Sequence, residues 1–344
     1  MLAATPSARV VVVEYNGADV LSRCIDSLLQ TVSADIPITI IDNHSPTPAE
    51  SIIPDDHKNR VDIVRLDKNT GYAGAIAEAW SLSREDFIVI ANNDLEFTPG
   101  WLDELLKMAV DRDAHAVSAV IEEENESEPE KSTNASLSPL LYLIPGVFRD
   151  RTKAVYPSGA CFLLRRDPEF PRPPVDPEYF LYYEDVYIGF LLRSLGKTVV
   201  QCPDARVRHV GSHSVKKSNP NRIAFLQERN RWMTQLLFFD AATLFDFAPF
   251  TGLDWLLKIP QCWIRRKPVF ATIAAHWWVW FHMRSILRKR KAIRELPDFD
   301  CRRILGYLTP QLIPSNLPCA GFVNSLSKWW INLTGVPAGR EAEG

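Results

Sequence analysis

Three carboxylates and one histidine stand where they can do chemistry. Asp94 follows the apolar run Phe87–Ala91, behind two amides, Asn92 and Asn93. The run is short and rich in β-branched residues, which predicts a buried strand. Asp94 then lies just past its carboxyl end, the edge where open α/β sheets bind ligands. One carboxylate flanked by amides suits a divalent ion such as Mg²⁺, which takes one or two carboxylates and fills its shell with water and substrate phosphates. An Asp capping a turn has the same appearance, and the stretch alone leaves both readings open. Glu184 and Asp185 follow Tyr179-Phe180-Leu181-Tyr182-Tyr183 and open a helical stretch that Gly196 stops. Carboxylates are favoured at a helix N-terminus by the dipole and the free N–H groups. That suffices for Glu184, but two adjacent carboxylates behind four aromatics are more unusual. His209 ends a short apolar stretch, where a single His is more often structural than a ligand.

The elements that must position these groups alternate. Strands are expected at Arg9–Val13, Ile36–Ile41, Val61–Leu66, Phe87–Ala91 and Ala114–Ile121, and helices at Asp19–Leu29 and Trp101–Val110, with Thr70-Gly71-Tyr72-Ala73-Gly74 leading into an Ala-rich helix through Trp80. Such alternation predicts an α/β fold with a mostly parallel sheet flanked by helices. Polar groups then collect along one sheet edge: Tyr15-Asn16-Gly17, Asp42-Asn43, Asp67 to Gly74, and Asn92-Asn93-Asp94. Ser158–Arg165 reads as a further strand, entered through small residues including Gly159 that let a ligand or a backbone approach. Pro139–Gly146 reads as a flap or a short helix. Glu122–Glu130 is a like-charged, solvated loop. Thr198–Gln201 and Ala205–Val210 read as two short strands, and Asn221–Phe239 as a long helix.

The 344 residues, 46% hydrophobic, can bury a full core, and the net charge of −3 argues against nucleic acid as the main partner. The six cysteines form no C-x-x-C pair and sit mostly in apolar contexts, so they are expected to be reduced and buried. No signal peptide precedes the first strand. Composition divides the chain into 1–235 and 236–344. The second part holds Trp255, Trp263, Trp277, Trp278, Trp280, Trp329 and Trp330, with basic clusters at Arg265-Arg266-Lys267 and Arg288-Lys289-Arg290-Lys291. The apolar stretch Val269–Phe281 is too short to span a bilayer. Trp and cations beside apolar helix faces fit a helical region lying on an anionic membrane surface, against the plainer reading of a Trp-rich core.

Taken in order, VVVEYN at 11–16, IIDNHSP at 40–46, NTGYAGA at 69–75, ANND at 91–94, TPGWLDEL at 98–105, SGACFLLRR at 158–166, FLYYEDVYIGFLLRSLG at 180–196, PDARVRHVG at 203–211 and RNRW at 229–232 resemble the family 2 glycosyltransferases, particularly the rhamnosyltransferase-like branch that builds bacterial surface polysaccharides. The resemblance covers about residues 9–235. It implies a GT-A fold and inverting transfer from a nucleotide-sugar, dTDP-rhamnose or a UDP-sugar, to a glycan or lipid-linked glycan acceptor, on the cytoplasmic face of the cell membrane. It places Tyr15, Asp42, Asn69, Gly71, Tyr72, Asn92, Asn93, Gly159 and Arg229 about the nucleotide-sugar. It makes Asp185 the catalytic base beside Glu184, and makes Asp94 and His209 the ligands of Mg²⁺ or Mn²⁺. The chain departs from the family pattern at Glu14, usually Thr, at Ala75-Ile76-Ala77, and at Tyr187, often acidic. Two rival classes are a GT-A module that binds sugar nucleotide or membrane without catalysis, and a nucleotidyltransferase. The second would need a basic, Gly-rich loop after the first strand, where Glu14-Tyr15-Asn16-Gly17 stands instead.

Overall fold

The computed structural model describes residues 6–123, 135–148, 150–167, 172–210, 219–264, 268–315 and 320–339. Residues 124–130 of the acidic stretch and the cluster Arg265-Arg266-Lys267 lie outside them. The chain forms two compact units: 1–133 with 156–188 and 198–217, and 134–155 with 189–197 and 218–344. The helix Pro220–Phe238 runs across residue 235, where composition placed a boundary.

The first unit is an eight-stranded mixed sheet. Its strands are β1 (Ala8–Glu14), β2 (Ile38–Asp42), β3 (Val61–Arg65), β4 (Phe87–Asn92), β5 (Leu95–Phe97) and β6 (Ala114–Glu123), with two more described below. β3, β2, β1 and β4 lie side by side and parallel. They are read correctly as apolar runs because the central ones are covered on both faces: Val10, Val12, Ile38, Ile40, Val89 and Ala91 are buried on one side, and Val11, Val13, Ile41, Ile88 and Ile90 on the other. The helix Trp101–Asp111 packs on the other half of the sheet, burying Trp101, Leu102, Leu105 and Ala109 at helical spacing.

Beyond these strands the chain departs from the sequence reading in four places. Glu122 and Glu123 continue β6 rather than starting a loop, and Glu122 accepts a hydrogen bond from Arg206 at 2.9 Å. Pro139–Gly146 is neither flap nor helix. It forms the turn and second arm of a small hairpin in the second unit, β7 (Ser136–Leu137) and β8 (Leu143–Ile144), closed by Ser138 N–H donating to Tyr142 O at 2.8 Å. β9 (Cys161–Arg165) runs antiparallel between β4 and β6. The two strands expected near the end are one, β10 (Thr198–His209), parallel to β6 with an irregularity between Cys202 and Arg206. β5 pairs antiparallel with its far end, Leu95 opposite His209.

The second unit is helical apart from that hairpin: Pro220–Phe238, Ala241–Asp246, Ala248–Ile264, Val269–Phe281, Met283–Arg294, Arg302–Leu305 and Ala320–Thr334. A charged cluster lies inside it. Arg231, 2% exposed, donates to Glu228 at 2.7 Å, to Asp254 at 3.0 Å and to the carbonyl of Leu140 at 3.0 Å. Lys258 and His276 meet the same Glu228 at 2.9 and 3.2 Å. Burial works against the Glu228 carboxylate, yet Arg231, His276 and Lys258 hold its pKa well below the ordinary range. No helix among the described residues is long and apolar enough to cross a membrane. Cys24, Cys161, Cys202 and Cys301 are free and buried, as expected.

Candidate active site

The loops of the candidate site follow the carboxyl ends of strands in the first unit, joined by the segment with Gly159 that enters the antiparallel β9. Glu14, the last residue of β1, is wholly buried. Its carboxylate accepts from Gly17 N–H at 2.8 Å, from Ser45 Oγ at 3.2 Å and from Asn93 Nδ2 at 2.5 Å. One side chain thus joins the loops after β1, β2 and β4. Burial raises its pKa, against the hydrogen bonds it receives. A Cβ on Gly17 would stand 2.1 Å from Asn93 Nδ2 and would displace that amide.

Asp42 ends β2. Its oxygens accept from Ser45 N–H at 2.7 Å and Ala49 N–H at 3.0 Å, and Arg65 at the end of β3 pairs with it. As placed, Asp42 shapes the 42–49 turn. Tyr15, 41% exposed, presents its ring from the preceding loop. Asn43 binds both ends of the next turn: Nδ2 donates to Gly71 O at 3.0 Å and Oδ1 accepts from Thr70 N–H at 2.8 Å. Asn69 Oδ1 accepts from Gly71 N–H at 2.8 Å, an Asx turn that launches the helix Gly71–Leu82. Gly71 has φ +75, and a Cβ on it would stand 2.2 Å from the carbonyl oxygen of Phe180. The glycine lets the 69–72 turn close on the aromatic run before Glu184.

That run is strained. Phe180, Tyr182 and Tyr183 have φ of 64, 69 and 66, values uncommon for bulky residues and concentrated at functional sites. The helix Glu184–Ser194 follows. Asp185 Oδ1 accepts from Val186 N–H at 2.7 Å. Burial pushes the Asp185 carboxyl up to about 6, against hydrogen bonds from the backbone of Val186 and Gly159. Glu184 is buried with Oε2 lacking a hydrogen-bond partner among the described residues. Burial, then the field of Asp185, raises its pKa well above the carboxylate range. Tyr72 OH donates to Gly159 O at 2.7 Å, and its phenol is held protonated by burial and by the fields of Glu184, Cys161, Asp185 and Asp94. Gly159 in turn lies against Asp185, whose Oδ2 would be 3.1 Å from a Cβ there. Tyr72 and Gly159 therefore gather the three carboxylates around one spot.

Asp94 is buried, with Oδ2 3.1 Å from His209 Nε2. The contact is set by the sheet, because β5 pairs with β10 and Val210 N–H donates to Asp94 O at 2.9 Å. Asp94 Oδ1 is buried and has no hydrogen-bond partner among the described residues. An orphaned carboxylate oxygen beside an imidazole fits a divalent ion that completes its shell with water and diphosphate oxygens. Among the described residues no third His, Cys, Asp or Glu joins the pair. Asn92 N–H donates to Ala160 O at 2.9 Å, tying β4 to the segment entering β9. Arg229 belongs to the other compact unit, where its guanidinium lies over Phe225 and Trp278. Asn43, Arg65 and Phe180 carry site geometry that motif reading did not assign. Asn43, inside IIDNHSP, and Phe180, which opens FLYYEDVYIGFLLRSLG, lay within quoted motifs; Arg65 had no such signal.

The eight-stranded mixed sheet with its flanking helices is a GT-A fold. Two solved structures share the fold: a mannosyltransferase from Pyrobaculum calidifontis in complex with GDP-Man and Mn²⁺ (TM-score 0.52, 12% identity, 97% of this chain and 88% of that one), and GalNAc-T7 with UDP, GalNAc and Mn²⁺ (TM-score 0.54, 14% identity, 70% of this chain and 49% of that one). Residues 9–169 match the model of glycosyl transferase family 2, a match that ends before Asp185 and His209. Over 248 residues the chain is 26% identical to N-acetylglucosaminyl-diphospho-decaprenol L-rhamnosyltransferase of Mycobacterium tuberculosis, covering 62% of this chain and 80% of that one. Over 109 residues it is 31% identical to the succinoglycan biosynthesis protein ExoU of Rhizobium meliloti, covering 31% of this chain and 32% of that one. Residues 9–169 thus carry a glycosyl transferase family 2 domain, and the chain is similar to a rhamnosyltransferase over most of its length.

Proposed function

We propose that this protein transfers a sugar, with inversion, from dTDP-rhamnose or a UDP-sugar to a hydroxyl of a glycan or lipid-linked glycan during bacterial cell-surface polysaccharide synthesis. The observation that carries this is the gathering of Asp185, its carboxyl at about 6, with Glu184 and Asp94 around Tyr72 and Gly159. A carboxylate with that pKa is ionised at neutral pH and still basic enough to take the acceptor hydroxyl's proton as it attacks the anomeric carbon. A single base and a single displacement invert the centre. Glu184, kept protonated by burial and by Asp185, places a neutral donor beside the base rather than a second anion. Gly71, Tyr72 and the Asn69 turn shape the floor for the diphosphate, and Tyr15 offers its exposed ring to the base. Asp94 and His209 would hold Mg²⁺ or Mn²⁺, which when bound absorbs charge on the leaving diphosphate. The relatives named above support a surface-glycan role. Peripheral attachment at the cytoplasmic, anionic face of the membrane is part of the same reading.

The test is thermal shift with UDP, dTDP and GDP, each with Mg²⁺, Mn²⁺ or chelator, followed by nucleoside diphosphate release from the matching sugar nucleotide. A ligand that binds only the folded protein raises its apparent stability. A nucleotide that stabilises only with metal, and turns over with a polyprenyl-linked glycan, supports the reading. Absence of any nucleotide shift under all these conditions overturns it.

A further inference from the structure

The helix Ala320–Thr334 is inside out. Phe322, Leu326, Trp329 and Leu333, spaced i, i+4, i+7 and i+11, form a single stripe and are 74, 42, 57 and 64% exposed. The opposite stripe, Ala320, Asn324, Ser327 and Ile331, is buried. Its polar members are bonded inward: Asn324 Oδ1 accepts from Leu312 and Ile313 N–H, and Ser327 Oγ donates to Pro310 O at 2.7 Å. These bonds fix the helix's rotation, so the apolar side cannot turn into the unit's own core. A helix of a water-soluble domain carries the reverse pattern.

The same unit repeats the arrangement. The helix Val269–Phe281 buries Thr272, Ala275 and Val279 and exposes Phe270, Trp277 and Phe281, the last two stacked at 5.9 Å. The helix Met283–Arg294 follows directly and exposes Arg284, Arg288 and Lys291 along one stripe. Apolar aromatic faces beside a cationic stripe complement an anionic bilayer surface.

We infer that the exposed stripe of the helix Ala320–Thr334 is the part of this protein that inserts into the interface of an anionic bilayer. The helix lies flat, its aromatic side in the headgroup region. The inference rests on the membrane part of the proposed function and assigns it to one face of one helix, of which composition had singled out only Trp329. Insertion of apolar side chains is not screened by salt, so ionic strength loosens the cationic contribution and leaves a bound fraction.

The experiment is flotation of the full chain with vesicles of phosphatidylglycerol and phosphatidylcholine, at low and high salt, comparing wild type with Phe322→Ser/Trp329→Ser/Leu333→Ser. All three side chains are exposed, so the variant should keep the wild-type unfolding midpoint and nucleotide shift, which are measured alongside. The expected result is partial binding of wild type at high salt, and a vesicle affinity lower by about tenfold or more in the variant. A well-folded variant that floats like wild type overturns the assignment of this helix while leaving the membrane reading in place. Wild type that never floats overturns both. Wild type that ignores vesicles but dimerises through a face the variant loses gives the stripe to a second copy instead.

Discussion

Replacing Asp185 by Asn separates a catalytic carboxylate from a structural one, because the two roles move stability in opposite directions. Folding raises the Asp185 carboxyl from 3.8 to about 6. A raised acid binds its proton more tightly when folded. Its neutral form is fully compatible with the fold below pH about 4, and the ionised form weakens the fold as pH climbs towards 6. Two pKa units correspond to ~3 kcal/mol of cost above pH 6. The side chain is only partly shielded from solvent and the carboxylate accepts the Val186 N–H, so the gain from Asn is expected to be nearer ~1 kcal/mol. The variant should therefore be more stable than wild type at pH 8, and the two should converge near pH 4. Transfer should fall by about 10²–10⁴, the usual contribution of a general base. In wild type the rate should rise with pH through an apparent value near 6, and the variant should lose that limb. Urea denaturation at pH 4 and 8, with nucleoside diphosphate release measured from pH 5 to 8, gives all three results. A variant less stable at pH 8 with transfer intact would refute the reasoning, leaving Asp185 as a helix cap.

Asp94→Ala should weaken nucleoside diphosphate binding when Mn²⁺ or Mg²⁺ is present and leave the chelated protein unchanged; calorimetric titration checks this, and equal loss in chelator counts against a metal role. Gly71→Ala should destabilise the fold by about 2 kcal/mol or more, since φ +75 disfavours a side chain and Phe180 O blocks the space; thermal unfolding reads it. Arg231→Ala should cost about 3 kcal/mol by taking the shared cation from Glu228 and Asp254, with Lys258 and His276 still on Glu228, whereas Arg231→Met with Glu228→Gln should cost less; a denaturant series compares them.

Much of the first unit was legible because its central strands are covered on both faces and so read as unbroken apolar runs. The direction of β9 was not legible, since a buried strand has the same pattern whether parallel or antiparallel. β5 was missed because three residues carry no period, yet it sets the Asp94–His209 contact. Glu184-Asp185 and Asp94 were read from local motifs, and the structure brings them towards one tyrosine. Glu14 was noticed only as a departure. Its partners lie 3, 31 and 79 positions along the chain, a relation no local pattern displays. The helix Ala320–Thr334 hid for another reason: its apolar spacing is ordinary, and only the structure tells which side faces water.

Glu14 has a consequence for how ligands are felt. Three loops share one buried acceptor, and each is fixed partly by the other two. Ordering any one of them removes conformational freedom from all. A nucleotide settling on the loops after β1 and β2 therefore stiffens Asn93, the neighbour of Asp94, before any ion arrives. Coupling of this kind is carried by entropy and leaves the average backbone where it was. It would be visible as joint slowing of amide exchange at Gly17, Ser45 and Asp94 when a nucleoside diphosphate alone is added, and it would make the proposed metal and donor mutual partners in binding, with neither required to come first.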